Sequence, residues 1–368
     1  MKRAQALFFA VILSAFSAFG AQKDFFTVSE YMLMHPEQAW KFDSFVNIVR
    51  SAPVPLKTTN AKPAKIAVVY PAVQASDYWR RSVKVLEKRL AELNVNYTLT
   101  TYFSRPSGDS RLQMAQLAEA AAGGADFIIV SADSSQMRKA VGRLLFEGKH
   151  EIIIQNLTTP LREWEPSRPL LYTGFDHIAG SAMLADAVAD TVPQNSSYAV
   201  LNCSGGEVGY LRTKGFTDRL ASRGRYVRKA EYITDFDREK SKIAAKEILR
   251  VHPDVSFIFA CATDVALGAA DALREAGAQK IILNGWGGGN AELELIKQKE
   301  LDLTVMRMND ESSVAAAEAV KFVLSGRAND VPVVFSGDFS LVTSADSADE
   351  IKMLKKRAFR YSGENEQD

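Results

Sequence analysis

Arg307 is the residue whose placement demands most of its surroundings. It lies in Leu303-Thr304-Val305-Met306-Arg307-Met308, an apolar strand-like run in which a guanidinium needs a partner. A buried ion pair with Asp264 or Asp310 would supply one. So would an anionic or polyhydroxylated ligand gripped by its planar fork of donors. Arg212, in the helical stretch Tyr210-Leu211-Arg212-Thr213-Lys214, is a second such cation, and surface exposure is the ordinary alternative for it. Trp79 follows Ser76-Asp77-Tyr78 just past a strand, and Trp286 sits among glycines that let backbone and ligand approach closely. Either ring is a core residue or a wall for the apolar face of a polar ligand. Gln74 and Ser76 share one loop, Asn156 follows its strand, and Thr263 precedes a helix. Each serves equally well as a cap or turn residue. Together they describe a polar pocket where strands end.

Other chemistry finds no support. The four histidines, His35, His150, His177 and His252, lack metal-ligand spacing. Neither a GxSxG elbow nor a phosphate loop ending in Gly-Lys-Ser/Thr is present. The run Gly285-Trp286-Gly287-Gly288-Gly289-Asn290 fails as a dinucleotide fingerprint at its last glycine position, and it comes late in the chain. No pair of carboxylates stands out as acid and base. The expectation is a binding protein with no cofactor and no metal, not an enzyme.

The elements that must position these residues follow from periodicity. From Lys65 onward apolar strands alternate with amphipathic helices, beginning with Ile66-Ala67-Val68-Val69-Tyr70, a run fit for burial on both faces. The next helix carries Val83, Leu86, Leu90 and Leu93 on one stripe, with Arg81, Lys84, Lys88 and Glu92 elsewhere. Strands at 127–130 and 152–154 and helices at 110–122 and about 135–147 continue the pattern. It restarts beyond Asp176, with strands near 198–202, 226–233, 256–260, 280–283 and 302–306. This predicts an α/β protein of two similar Rossmann-like lobes, each a five- or six-stranded parallel sheet flanked by helices. In such sheets ligands bind beyond the carboxyl ends of the strands, where the polar residues above fall.

Composition agrees. The 368 residues are 47% apolar and 24% charged, and the length suits two domains. A net charge of +1 argues against a nucleic-acid partner. No internal run reaches the roughly 18 uncharged apolar residues of a membrane span. Lys2-Arg3, the apolar stretch Leu7–Leu13 and Ala18-Phe19-Gly20 before Ala21 fit a signal peptide over 1–20, hence an exported protein. Residues 21–63 form a helical appendage and linker, opened by the capping box Thr27-Val28-Ser29-Glu30 and followed by a helix over about 37–51. Cys203 and Cys261, the only cysteines, end apolar strands and read as buried thiols, a disulfide being the alternative.

Several segments go further than fold. Gln74-Ala75-Ser76-Asp77-Tyr78-Trp79, Gln155-Asn156-Leu157-Thr158-Thr159-Pro160, Gly174-Phe175-Asp176-His177, Ala260-Cys261-Ala262-Thr263-Asp264, Asn284-Gly285-Trp286-Gly287-Gly288-Gly289 and Thr304–Asp310 resemble the LuxP-type periplasmic receptors for the quorum-sensing signal autoinducer-2. The resemblance covers nearly all of the chain beyond residue 20 and departs most between Cys203 and Lys214. It implies a type I periplasmic-binding-protein fold that clamps a furanosyl borate diester in the cleft. The family's pocket residues would fall on Gln74, Ser76, Trp79, Asn156, Arg212, Thr263, Trp286 and Arg307. Two arginines would offset the single negative charge of a tetrahedral borate, and Gln74, Ser76, Asn156 and Thr263 would bond the ring hydroxyls.

The implied hinge has three crossings, near Gly174-Phe175-Asp176, Arg307-Met308-Asn309 and Ser336-Gly337-Asp338. Lobe 1 would then comprise 64–175 plus 309–335, and lobe 2 would comprise 176–308 plus 336–361, with a frayed tail at 362–368. The implied partner is the periplasmic domain of a membrane sensor histidine kinase of the LuxQ type, to which the bound signal is relayed. The alternative is a ribose- or galactose-type sugar-binding protein of an ABC importer.

Overall fold

A computed structural model describes residues 24–363; the expected signal peptide lies outside the described residues. The appendage holds α1 (Val28–Met34) and α2 (Pro36–Arg50). Lobe 1 then runs β1 (Ala64–Tyr70), α3 (Tyr78–Glu92), β2 (Tyr97–Phe103), α4 (Ser110–Ala122), β3 (Phe127–Val130), α5 (Ser135–Glu147), β4 (Glu151–Gln155) and β5 (Leu171–Gly174). Lobe 2 runs α6 (His177–Thr191), β6 (Ser197–Asn202), α7 (Glu207–Arg223), β7 (Val227–Ile233), α8 (Arg238–Val251), β8 (Val255–Ala260), α9 (Thr263–Ala276), β9 (Ile282–Gly287), α10 (Asn290–Lys297) and β10 (Leu303–Arg307). The chain then returns through α11 (Glu311–Leu324), β11 (Val334–Ser336), β12 (Phe339–Thr343) and α12 (Ala348–Ala358).

Each sheet has six strands, ordered β11-β5-β4-β3-β1-β2 and β12-β10-β9-β8-β6-β7. The first strand of each lobe therefore lies between its second and third. That arrangement creates a crevice at the carboxyl ends, where the direction of winding reverses. The paired strands are parallel except β12, which runs antiparallel to β10. Central strands β3, β6 and β10 are buried at every residue, β3 as an unbroken apolar run and the other two with polar residues such as Asn202, Thr304 and Arg307 taken inside with them. The edge strand β2 alternates between half-buried and exposed positions, and that broken pattern kept it out of the sequence-based strand set. Short β5, β11 and β12 were not anticipated either.

The chain crosses between sheets after β5, after β10 and between β11 and β12, the three places expected of the hinge. The Thr27–Glu30 capping box forms, with Thr27 N donating to Glu30 Oε2 at 2.9 Å and Glu30 N to Thr27 Oγ1 at 3.1 Å. α2 covers lobe 1: Phe45 and Val49 join its core, and Arg50 pairs with Glu311 at 3.0 Å and Asp338 at 2.8 Å. At the other end of the chain Tyr361 and Ser362 do not follow lobe 2, nor does Ser362 fray. Asp310 takes both of their backbone N–H groups, at 2.8 and 2.9 Å, and ties them to lobe 1. Residues 364–368 of the expected tail lie outside the described residues.

The helix α3 departs from its expected polar face. Arg81 is buried, and Arg89 is wholly inaccessible. Arg89 donates to Glu318 of α11 from Nε at 3.0 Å and Nη2 at 2.6 Å, and to the Tyr361 hydroxyl at 2.7 Å. An i, i+4 stripe cannot reveal this, because the partner lies 229 residues away.

Candidate functional site

All eight residues named from the sequence line one cavity of about 370 Å³ between the carboxyl ends of the two sheets. Lobe 1 supplies Gln74 and Ser76 from the loop after β1, Trp79 from the first turn of α3, and Asn156 from the residue after β4. Lobe 2 supplies Arg212 from α7, Thr263 from the start of α9, Trp286 from β9 and Arg307 from the end of β10. The volume lies at the small end of the range for solute pockets, roughly 300–1,000 Å³.

The two guanidiniums define its electrostatics. Arg307 is buried to 5% exposure, yet it pairs with neither Asp264 nor Asp310, whose carboxylates accept backbone N–H groups instead. Among the described residues its Nε has no hydrogen-bond partner; its guanidinium carbon lies 4.1 Å from the centre of the Tyr78 ring and 5.6 Å from that of Trp286. Burial pulls it down to about 10, and the charge of Arg212 acts the same way. Gly287 makes the space: at φ 137°, a Cβ there would stand 2.9 Å from Arg307 Nη2. Arg212 is buried too, correcting the surface alternative. Its guanidinium lies 3.5 Å over Trp286, Nη1 donates to the Cys261 carbonyl at 2.7 Å, and Nε donates to His177 Nδ1 at 3.3 Å. Trp286 is thus a platform between two cations, with Nε1 engaged by Ser181 Oγ at 2.8 Å. Neither arginine has a carboxylate ion pair among the described residues.

The hydroxyl-binding candidates are unequally free. Gln74 gives Nε2 to the Pro71 carbonyl at 2.7 Å. Asn156 stands at φ 73° with a buried Oδ1 that has no partner among the described residues. Trp79 packs against Tyr70, ring centroids 4.6 Å apart, and is buried where it lines the cavity.

Sequence reading missed the groups that hold the lobes together. Asp264 of α9 accepts Ala75 N at 2.8 Å and Ser76 N at 3.1 Å across the cleft. Asp133, beyond β3, caps the start of α7 from the opposite lobe: Val208 N donates to its Oδ1 at 2.6 Å and Ser204 Oγ to its Oδ2 at 3.1 Å. Glu207 answers from lobe 2, accepting Thr159 Oγ1 at 2.7 Å with Arg138 at 3.5 Å. Burial raises all three carboxyls, Glu207 to about 7. Asp133 carried a usable signal, as a polar residue just past an apolar strand. Glu207 carried none. The two thiols are free and buried side by side, with Cys203 N donating to Cys261 Sγ at 2.7 Å.

Two doubly wound lobes, three crossings and a polar cleft define a solute-binding clamp. The family model for the periplasmic binding protein domain matches residues 66–328, and the chain belongs to that family. Among curated proteins it is 27% identical over 221 residues to a ribose import binding protein of Bacillus subtilis (strain 168), which covers 60% of this chain and 70% of that protein. It spans about half of the corresponding Escherichia coli (strain K12) protein, at 26% identity over 152 residues, 41% of this chain and 51% of that protein. Among solved structures it resembles a carbohydrate transporter solute-binding protein from Agrobacterium radiobacter in complex with D-arabinose. There the TM-score is 0.71 and the identity 18%, over 80% of this chain and 99% of that one; this likeness shows the fold alone. No helix among the described residues is long and apolar enough to cross a membrane.

Proposed function

We propose that the cleft takes a small, five-membered-ring polyol carrying one negative charge, and that this ligand is autoinducer-2 as its furanosyl borate diester. The observation that carries the reading is the pair Arg212 and Arg307: two buried guanidiniums lacking any carboxylate ion pair, stacked about one indole. Glu292 acts on both guanidiniums from a distance, with Asp133 on Arg212 and Asp77 on Arg307, but none of them pairs with either; a neutral sugar adds no charge in contact with the pair, whereas a borate diester does. Ring hydroxyls meet the free Oδ1 of Asn156 and the polar groups of Gln74, Ser76 and Thr263. Binding draws the lobes together, and the closed surface is relayed to the periplasmic domain of a LuxQ-type sensor kinase.

A second reading stands on a different observation. The curated relatives are ribose import binding proteins, and the similar structures hold D-arabinose or D-allose. By kinship alone the ligand is a pentose or hexose delivered to an ABC importer, and kinship backs this reading more directly than it backs signalling. Charge favours the anion; ancestry favours the sugar. Purifying the protein from signal-producing cells, denaturing it and examining what it releases by mass spectrometry and boron NMR decides between them. A boron-containing furanosyl compound that induces a reporter strain supports the receptor. Release of a boron-free pentose or hexose replaces it with the importer.

A further inference from the structure

We propose that His177 is the positioning residue of the cleft, a neutral imidazole that aims one ligand-binding group from each lobe at the same point. The inference rests on the reading of Asn156 and Arg212 as ligand contacts. His177 opens α6 directly after the first hinge crossing, and its ring is fully enclosed, 5.1 Å from that of Trp286. Nε2 lies 2.7 Å from the backbone carbonyl of Asn156, in lobe 1. A carbonyl only accepts, so Nε2 carries the proton. Nδ1 is then a lone pair, and it receives the Arg212 Nε–H at 3.3 Å. One tautomer satisfies both contacts. The other sets two donors against each other at Arg212 and a lone pair against a carbonyl at Asn156, and an imidazolium adds a third cation beside Arg212 and Arg307.

Both neighbours need outside help to point where they do. Asn156 is held at φ 73°, with Gly174 leaving the room: a Cβ there would come within 3.0 Å of Asn156 Cα. The carbonyl bond to His177 fixes that peptide, and so the direction of the unpartnered Oδ1. Arg212 has no carboxylate to orient it. Its plane is set by the Trp286 face, by the Cys261 carbonyl at Nη1 and by His177 at Nε. Removing the imidazole frees one edge of the guanidinium to rotate. Burial, with Arg212 and Arg307 adding to it, drives the His177 pKa well below the ordinary histidine value, in keeping with a ring that stays neutral.

The first test needs no ligand. In the ligand-free full-length mature protein, nitrogen NMR of the His177 ring is expected to show a protonated Nε2 and a bare Nδ1, unchanged from pH 8 to pH 5.5. A protonated Nδ1, or titration inside that window, overturns the assignment. The second is a double-mutant cycle read by calorimetry with autoinducer-2 plus borate, and in parallel with D-ribose. On whichever probe binds the wild type, His177→Phe is expected to lose about tenfold or more, and His177→Gln, which keeps one donor and one acceptor, to regain most of it. In an Arg212→Ala background His177→Phe is expected to lose only the smaller share that acts through Asn156. Full additivity shows a ring that merely fills space, and overturns the proposal. If neither probe binds the wild type, the functional reading fails. The proposal then stands or falls on the ring tautomer and on the Arg212 Nε–H signal, whose protection from exchange is expected to vanish in His177→Phe and to be largely kept in His177→Gln only if His177 holds it.

Discussion

The body of lobe 1 and the cleft both bury arginine, and they treat it in opposite ways. Arg89 is fully enclosed, with a carboxylate supplied by its own chain: Glu318 takes two of its N–H groups and is itself fully enclosed, with Lys321 at its other oxygen. Arg212 and Arg307 are nearly as deep but receive aromatic faces and carbonyl or imidazole acceptors in place of a carboxylate. Taking a charge out of water costs several kcal/mol unless an opposite charge answers it. A fold under selection for stability alone completes the pair, as at Arg89. Where it leaves two guanidiniums unpaired within one small cavity, the missing charge is expected from outside.

The largest effect belongs to the completed pair. Glu318→Leu strands the Arg89 charge in the core, and breaking a buried pair this way costs about 3–5 kcal/mol. Its melting temperature is expected to fall by roughly 10 °C by calorimetry. Ligand affinity of the folded fraction stays at the wild-type value, since Glu318 lies outside the cleft. An affinity loss as large as the stability loss would erase the distinction between the two regions.

Arg307→Met tests the other side and has the opposite sign. Methionine fills the space between Tyr78 and Trp286 and removes a charge whose ionisation the fold opposes, so the ligand-free protein is expected to gain about 1–3 kcal/mol. Binding weakens by about 100-fold or more in a titration with autoinducer-2 and borate, because a desolvated charge contact is lost. A variant that melts lower than wild type without ligand would mean that Arg307 supports the fold as Arg89 does.

Much of this was legible in the sequence, and what was not has a physical reason. Unbroken apolar runs such as Ile66–Tyr70 and Phe257–Ala260 announced central strands, because burial on both faces leaves no polar positions. The alternating Tyr97–Phe103 edge and the three-residue β11 gave no comparable signal. Six of the eight cleft residues lie just past strands or on the helices that follow, Trp286 and Arg307 lie at the carboxyl ends of β9 and β10, and strand ends can be read from hydropathy alone. The partners of those residues could not be read. His177 beside Arg212, Asp133 capping α7 and Glu318 against Arg89 are contacts between segments 35 to 229 residues apart, set by how the two lobes and their helices meet. Arg307 shows the limit most clearly: the sequence posed its need for a partner, and only three-dimensional placement showed that Asp264 and Asp310 were occupied elsewhere.

Glu207 sharpens the comparison from a third direction, since it is a buried charge whose partners lie across the cleft. Thr159 and Arg138 belong to lobe 1, so its burial is completed by closure. In this structure burial lifts it from the ordinary 4.5 to about 7, against the pull of Thr159 and Arg138 and with the push of Asp133 and Asp24; opening that returns it to water is expected to bring it back toward the ordinary value. The closed form therefore holds the proton more tightly. Its advantage is fully present below 4.5 and is lost as pH rises through about 7. Two pKa values this far apart predict a closure constant, and so a ligand affinity, about tenfold weaker at pH 8 than at pH 6. Asp133 and Asp264 are raised by burial as well and act in the same direction. Glu207→Gln isolates the Glu207 share: its amide oxygen still accepts from Thr159, so affinity at pH 8 should rise toward the acid value and most of the slope should vanish. A slope unchanged in Glu207→Gln would show that closure does not bury this carboxyl, leaving Asp133 and Asp264 as the charges that closing the clamp must desolvate.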